Sequence, residues 1–221
     1  MSADGALAAS PRTVPPSRLL VVTDRRGAAR PLAETVEAAL AGGARWIWFR
    51  DKDLASEPRR ALAGALLVLV RSRGALLSIG GDLDLAAAIG AEGLHLGGGA
   101  SAQAIARARD RLGETAWIGV SAHRPAEIEA AARAGAHYAT LSPVFTSASK
   151  PGYGPALGLG ALREAAGIGL PVIALGGIDG SQARLCLEAG AAGVAVMGSL
   201  MRATDPEAET RRLLATLRLP A

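Results

Sequence analysis

The stretch SQARLCLEAGAAGVAVMGSL at residues 181–200 contains, in order, each element of a unit that repeats along this chain. Apolar residues recur at helical spacing from 181 to 190, which predicts an amphipathic helix with Cys186 on its buried face. Gly190-Ala191 ends this helix, because glycine readily adopts the left-handed conformation that closes a helix. The apolar run at 194–197 predicts a strand buried on both faces, as parallel strands are.

A Gly-Ala signature at the end of a predicted helix leads into each even-numbered predicted strand, at Gly43, Gly90, Gly135 and Gly190. The successive spacings of 47, 45 and 55 residues correspond to two strand-helix units per step. Eight strands are predicted in all, at 19–23, 46–50, 75–79, 93–96, 116–121, 138–142, 171–175 and 194–197. These units predict an α/β fold of the (β/α)8 TIM-barrel type, a single domain over residues 19–221. An open doubly wound sheet is the alternative, but no G-x-G-x-x-G follows the first strand.

The amino-acid composition excludes several classes of protein. The chain has 221 residues, 50% hydrophobic and 20% charged, which excludes a disordered protein. Residues 1–18 hold three prolines and no apolar core of a signal peptide, so we expect a disordered leader. No apolar run approaches the ~20 residues that span a bilayer. The single cysteine, Cys186, excludes an internal disulfide and fits a reducing cytoplasm, where we expect the protein to act.

Arginine dominates the basic residues: of 24 Lys and Arg, only Lys52 and Lys150 are lysines. The spacing of the arginines at 59, 60, 71, 73, 107, 109 and 111 predicts that they lie on solvated helix faces. Aromatic residues make up only 3% and do not interleave with these charges, so we expect no nucleic-acid partner. In a chain so biased towards arginine, a lysine indicates a position where a compact ammonium group does what a planar guanidinium cannot. The alternative is that these two lysines have no such role and remain by chance.

Functional residues of this fold lie on the loops that follow the strands. Gly176-Gly177 follows the seventh predicted strand, and Gly198-Ser199 follows the eighth. Glycine-rich loops before helices expose backbone N–H groups, which favours a bound phosphate. The alternative is that these glycines serve only to allow tight turns.

Cationic and hydroxyl side chains follow the second and sixth predicted strands. Arg50 and Lys52 lie two positions apart, and therefore on the same side of an extended segment. Ser147 and Ser149 precede Lys150 in the loop after the sixth strand. This set suits a pyrophosphate, or a phosphate together with a carboxylate. Simple exposure of loop charges is the alternative.

Of three histidines, His123 is the candidate for proton transfer. It follows the fifth predicted strand, close after Ser121, and an ordinary histidine pKa of about 6.5 allows it to take and return a proton. We expect His95 to be packed inside the barrel and His137 to be solvated at the opposite end. No group of His, Cys and carboxylate residues has metal-ligand spacing, so we expect no metal.

The chain resembles the family of thiamine phosphate synthase and the related thiazole tautomerase over most of its length. The matching segments are LVVTD, FRDK, GVSAH, SPVFTSASK, ALGGI and GVAVMGSL. This resemblance implies a (β/α)8 barrel that binds a thiazole phosphate. It also implies that Gly177, Met197, Gly198 and Ser199 hold the phosphate.

The resemblance further implies roles in binding for the cationic loops. Arg50 and Lys52 match the R-x-K motif that binds pyrophosphate in the synthases, and Ser147, Ser149 and Lys150 stand for the T-x-T-K loop. Ser121 belongs to the GVSAH segment, and we include it among the substrate-binding residues.

The chain departs from the synthase pattern where that pattern supplies magnesium ligands. Gly80-Gly81 stands in place of Asn-Asp, and Gly97-Gly98-Gly99-Ala100 stands in place of G-Q-x-D. Trp48 replaces the Gln that precedes R-x-K. A leaving pyrophosphate normally needs a divalent cation, and magnesium needs oxygen ligands that these glycines cannot supply.

Three hypotheses follow. We favour a metal-independent, tautomerase-like isomerase with His123 as its catalytic residue and no cofactor. The alternative is a thiamine phosphate synthase that uses Mg²⁺. A barrel that binds a phosphorylated ligand without catalysis is the third. In each case the expected partner is a small phosphorylated heterocycle, with homo-oligomerisation possible and no membrane. Trp46 or Trp48 could stack on that heterocycle, with core packing as the alternative.

Overall fold

Eight parallel strands form a closed barrel, in which neighbours in the chain are hydrogen-bonded and the first strand pairs with the last. The computed structural model describes residues 14–146 and 155–218. Its elements are β1 (Leu19–Val22), α1 (Leu32–Ala41), β2 (Trp46–Phe49), α2 (Ser56–Ser72), β3 (Leu76–Gly80), α3 (Leu83–Ile89), β4 (Gly93–Leu96), α4 (Ala102–Leu112), β5 (Trp117–Ala122), α5 (Pro125–Arg133), β6 (Tyr138–Leu141), α6 (Gly158–Ala166), β7 (Val172–Leu175), α7 (Gly180–Glu188), β8 (Gly193–Val196), α8 (Gly198–Met201) and α9 (Pro206–Thr216). The predicted (β/α)8 barrel is confirmed.

Side chains of each strand alternate between the barrel interior and the surrounding helices, because the strand period is two residues. In β2, Trp46 and Trp48 belong to a buried cluster that also contains Tyr138 of β6. Ile47 and Phe49, the alternate residues, belong to a second buried cluster that includes the helices. The first cluster therefore fills the barrel, and the second fills the layer around it.

Glycine makes room for the large side chains inside the barrel. The rings of Trp46 and Tyr138 meet edge to face, with centroids 4.7 Å apart. A β-carbon on Gly119 would lie 2.1 Å from Cζ of Tyr138, and one on Gly93 would lie 2.6 Å from Oγ of Ser78. Neither distance is compatible with a side chain, so β4 and β5 need glycine at these positions.

The Gly-Ala signature forms the same local structure at all four positions. Each of its glycines has a positive φ, between +69° and +106°. Each alanine N–H then donates to the carbonyl five residues earlier, in the pairs Ala44–Ala39, Ala91–Ala86, Ala136–Ala131 and Ala191–Cys186. This is the bond of the Schellman motif, which ends a helix on a left-handed residue. Gly74-Ala75 makes the same bond before β3, from the Ala75 N–H to the Val70 carbonyl, so this helix-ending device precedes β3 as well as the even-numbered strands.

The two ends of the barrel domain meet beside β1. Arg18 donates from Nη1 to the carbonyl oxygen of Leu217 at 3.0 Å, and its own carbonyl accepts from the Val194 N–H. Ser17 accepts from the Leu19 N–H. Residues 1–13 of the predicted leader lie outside the described residues, so its disorder stays a prediction. Among the described residues no helix combines the length and apolar character needed to cross a bilayer.

Candidate active site

The strands all end at the same mouth of the barrel, where the predicted site residues meet. Because Trp46 and Trp48 point inward, the alternation along β2 places Arg50 at the inner rim of the mouth. Nη1 of Arg50 lies 3.8 Å from Sδ of Met197, which directly follows β8. The structure therefore brings together two predicted residues that are 147 positions apart in the sequence.

A buried carboxylate joins the loops after β1 and β2. Asp51 accepts from Oγ1 of Thr23 at 2.5 Å and from the backbone N–H of Arg25 at 2.7 Å. Thr23 in turn accepts from the backbone N–H of Arg50 at 3.0 Å. Asp51 is only 6% exposed, and both its oxygens are engaged in this way. It therefore holds the backbone of Arg50 in place through Thr23.

A cavity of about 310 Å³ opens beside this junction. Asp53 in its wall forms ion pairs with Arg25 and with Arg26, the latter at 2.8 Å. The remaining wall includes both cations of the R-x-K motif. The lining residues are Thr23, Asp24, Arg26, Arg50, Asp51, Lys52 and Asp53.

Arg59 in α2 connects the loops after β2 and β3. Its Nε donates to the carbonyl of Asp51 at 3.1 Å, and its Nη2 donates to the carbonyl of Gly80 at 2.9 Å. Its Nη1 pairs with Asp82, which also caps α3 by accepting from the Leu85 N–H. The prediction that Arg59 lies on a solvated helix face is wrong, because its side chain bridges two loops and the residue is only 8% exposed.

The turn after β3 lacks the acidic groups that the synthase pattern places there, and other side chains fill the space beside it. A β-carbon on Gly80 would lie 2.9 Å from Nε1 of Trp48. Gly81 has a φ of +67°, and a β-carbon on it would lie 2.7 Å from Nζ of Lys52. No three His, Cys, Asp or Glu residues within 14–146 and 155–218 converge in a way that could hold a metal. The residues present at this turn do not fit a magnesium ion.

His123 is held by both its backbone and its ring. Nδ1 lies 2.7 Å from the carbonyl oxygen of Ser142, so Nδ1 carries the donated proton and Nε2 is the basic nitrogen of the neutral ring. The backbone N–H donates to Oε2 of Glu127 at 2.7 Å. Burial raises the pKa of Glu127, but hydrogen bonds from His123 and Arg124 outweigh it, and the net shift is downward. Nε2 faces the loop after β4, 3.4 Å from where a β-carbon on Gly98 would stand.

A second histidine lies deeper, inside the barrel. His95 is 1% exposed, as predicted, with Nδ1 2.9 Å from the hydroxyl of Tyr138 and Nε2 3.0 Å from Oγ of Ser121. Burial, and then the positive charge of Lys52, lower its pKa to about 3, so the ring is neutral near pH 7. Ser121, a predicted site residue, is thus oriented from beneath by a neutral imidazole.

The third histidine, His137, precedes β6 at the opposite end of the barrel. It is half-buried, and its Nδ1 accepts from the backbone N–H of Ile118 at 2.9 Å. The ring is therefore partly exposed, as the prediction of a solvated side chain implies, and it also forms a hydrogen bond to β5 that the prediction did not include.

The loops after β6, β7 and β8 pack directly on one another. Gly176 and Gly177 both have positive φ, and a β-carbon on Gly177 would lie 2.2 Å from the carbonyl oxygen of Thr146. The N–H of Phe145 donates to the carbonyl of Gly176 at 3.0 Å. Oγ of Ser199 lies 3.4 Å from the carbonyl oxygen of Ile178, to which it donates. The close approach of these loops thus requires glycine at 176 and 177, whether or not a phosphate binds there.

The mouth therefore contains eight of the predicted site residues: Arg50, Lys52, Ser121, His123, Gly177, Met197, Gly198 and Ser199. The other three, Ser147, Ser149 and Lys150, lie outside the described residues. Sequence reasoning missed the side chains that position the loops, namely Thr23, Asp51 and Arg59. Only the segments LVVTD and FRDK carried any signal for the first two, and no local pattern marks Arg59.

These features define a (β/α)8 barrel with a candidate active site at the end of the barrel where enzymes of this fold have theirs. The chain belongs to the thiamine monophosphate synthase family, whose model matches residues 19–200.

Similar proteins carry the synthase name. The chain is 41% identical over 201 residues to a putative thiamine-phosphate synthase of Geobacter sulfurreducens, covering 90% of this chain and 93% of the relative. It is 39% identical over 196 residues to the thiamine-phosphate synthase of Roseiflexus castenholzii, covering 87% and 85%. Among solved structures, thiamine phosphate pyrophosphorylase from Pyrococcus furiosus superposes with a TM-score of 0.80 at 31% identity, covering 90% of this chain and 95% of that one. None of these three names supports the tautomerase branch specifically.

Proposed function

We propose that this enzyme of the thiamine phosphate synthase family binds a thiazole phosphate and shifts a proton on its ring without a metal ion. The observation that carries the proposal is the turn at Gly80-Gly81. It has no acidic side chain, and the indole of Trp48 and the ammonium of Lys52 lie against it. A proton shift needs no divalent cation, whereas departure of a pyrophosphate normally does.

In this proposal the two halves of the mouth bind different parts of the substrate. The phosphate lies on the backbone of Gly177, Met197, Gly198 and Ser199, whose loops pack together through Ser199 and Ile178. Arg50 lies beside this region, because β2 is only two strands from β8 and Nη1 of Arg50 is 3.8 Å from Sδ of Met197. Ser121 contacts the ring, and Ser147, Ser149 and Lys150 of the loop after β6 complete the anion site.

His123 then moves the proton. Its Nε2 is the basic nitrogen, because Nδ1 donates to the Ser142 carbonyl and holds the ring in one orientation. Nε2 takes a proton from one ring atom of the substrate and returns it to another, so that one bond to hydrogen breaks, another forms, and the ring becomes aromatic. No atoms or electrons are gained or lost. Such general acid-base catalysis contributes about 10²- to 10⁴-fold in rate.

The second candidate is the synthase reaction, which joins a pyrimidine pyrophosphate to the thiazole phosphate. The names of the relatives favour this candidate over the first. Arg50 and Lys52 also match the R-x-K motif of the synthases. Because the residues at the β3 turn do not fit magnesium, we derive no step through that ion.

Purified protein assayed on both reactions tests the proposal. We expect it to aromatise the thiazole carboxylate phosphate tautomer, with a rate unchanged by EDTA and reduced at least 100-fold by His123→Ala. His137→Ala is the matched control, because it removes an imidazole at the opposite end of the barrel and we expect it to retain the rate. Formation of thiamine phosphate only with Mg²⁺ would establish the second candidate instead. Thermal stabilisation by the ligand without turnover of either substrate would indicate a binding protein.

A further inference from the structure

We propose that Nε1 of Trp48 and Nζ of Lys52 form a recognition site for a carboxylate carried by the ring of the bound heterocycle. Nothing in the family resemblance assigns a role to Trp48, because a Gln stands at this position in the synthase pattern. The identity of the ligand rests on the proposed function, whereas the placement of the two donors does not.

Trp48 carries a buried N–H group with no hydrogen-bond partner. The residue is 5% exposed, and Nε1 has neither a partner nor contact with solvent. Leaving such a donor unpaired costs about 1–3 kcal/mol, so native proteins rarely do so without a functional reason. Trp46, two positions earlier on the same strand, donates its Nε1–H to Oγ of Ser78 at 3.0 Å. The barrel therefore gives the indole N–H of Trp46 a hydrogen-bond acceptor and leaves the indole N–H of Trp48 without one.

The unpaired donor faces the turn after β3, and so does the ammonium of Lys52. Nε1 lies 2.9 Å from the place of a β-carbon on Gly80, and Nζ lies 2.7 Å from the place of one on Gly81. The carbonyl of Gly80 already accepts from Arg59 at 2.9 Å. Both donors therefore lie beside the same pair of consecutive glycines, the indole N–H at Gly80 and the ammonium at Gly81.

Packing holds the indole of the pair in place, and the carboxylates near the ammonium are engaged with other groups. The indole of Trp48 stacks on the ring of His95, with centroids 3.8 Å apart. The charge of Lys52 contributes to the lowered pKa of His95, so its field extends into the barrel. The carboxylates closest along the chain are engaged elsewhere: Asp51 with Thr23, Asp53 with Arg25 and Arg26, and Asp82 with Arg59. One directional N–H and one ammonium suit the two oxygens of a planar carboxylate.

Binding of two thiazole phosphates that differ only in the ring carboxylate tests the site without any need for turnover. We expect the carboxylated compound to bind the wild-type protein at least about ten-fold more tightly, as a hydrogen bond to a charged group implies. Trp48→Phe retains an aromatic ring and removes the indole N–H. We expect this variant to lose most of the difference in affinity, while its dissociation constant for the compound without the carboxylate stays unchanged. Trp46→Phe is the matched control, and we expect it to retain the difference. An equal effect of Trp48→Phe on both compounds, or no effect, would overturn the proposal.

The indole N–H signals of the wild-type protein give a second, direct readout. The chain has three tryptophans, so ¹⁵N-labelled protein shows three such signals, and Trp46→Phe and Trp117→Phe assign the third by elimination. We expect the carboxylated compound, but neither its decarboxylated counterpart nor inorganic pyrophosphate, to shift the Trp48 signal downfield. A shift with pyrophosphate alone would overturn the proposal. Lys52→Met changes an exposed side chain, and we expect it to weaken binding of the carboxylated compound selectively.

These outcomes separate the site from the proposed reaction. Selective binding through Trp48 in a protein that does not aromatise its ligand would retain the site and refute the tautomerase function. Aromatisation with no selectivity for the carboxylate would support the tautomerase function and refute the carboxylate site.

Discussion

Replacing Arg59 by methionine should destabilise the fold far more than replacing an ordinary surface arginine. Arg59 donates to two buried carbonyls, those of Asp51 and Gly80, and methionine would leave both without these bonds. A buried acceptor that loses its donor costs about 1–3 kcal/mol, so we expect a loss of about 4 kcal/mol in the free energy of unfolding. The ion pair with Asp82 adds little, because that carboxylate is 36% exposed. The expected loss is a large part of the stability of a typical domain.

Arg71 provides a matched control for this prediction. It also pairs with a carboxylate, that of Glu92, and donates to a carbonyl, that of Gly90. Its side chain is 52% exposed, so water replaces the lost partners and Arg71→Met should cost no more than about 1 kcal/mol. Urea unfolding of the two variants and the wild type, followed by circular dichroism, measures both values. Equal losses for Arg59→Met and Arg71→Met would show that Arg59 does not hold the two loops together.

Two further predictions concern the barrel interior. Burial and Lys52 lower the pKa of His95 to about 3, so below pH 6.5 the unfolded chain binds a proton that the folded protein excludes. The free energy of unfolding should therefore fall as the pH drops below about 6.5, by roughly 1.4 kcal/mol per pH unit from this group. Urea unfolding of the wild type and of His95→Gln between pH 7 and 4 should show this fall only in the wild type, and the same pH dependence in both proteins would contradict the prediction. Gly119→Ala should destabilise by at least about 1–3 kcal/mol, since its methyl would lie 2.1 Å from the Tyr138 ring. Gly64→Ala, on an open face of α2, is its control in thermal unfolding and should have little effect.

The sequence predicts the fold well because the responsible interactions are local. The Gly-Ala signature lies within one helix end, so glycine geometry alone indicates where each double unit closes. The eight strands follow from apolar runs of a few residues, and strand order then follows from the chain order of a parallel barrel. Arg50 and Met197 could be assigned to the same mouth for this reason, although they lie far apart in the sequence.

The prediction fails where a side chain acts across the barrel. Arg59 has helical spacing and flanking charges like those of a solvated face, and only the three-dimensional path of the β2 and β3 loops brings two carbonyls within its reach. His137 likewise has no local signal for the bond it accepts from Ile118. The sequence shows which residues differ from the synthase pattern at the mouth, but it does not show that Trp48 and Gly80 touch.

That contact distinguishes a remodelled site from a decayed one. Random loss of magnesium ligands would leave unrelated residues at separate positions. Here the indole of Trp48 occupies the space into which a side chain at position 80 would project, so the large residue on β2 requires glycine on β3. Arg59 holds this turn in place by donating to the Gly80 carbonyl, and the ring of His95 packs against the indole. The departures from the synthase pattern at Trp48 and Gly80 are thus mutually compatible in packing, which is what the proposed function requires of them.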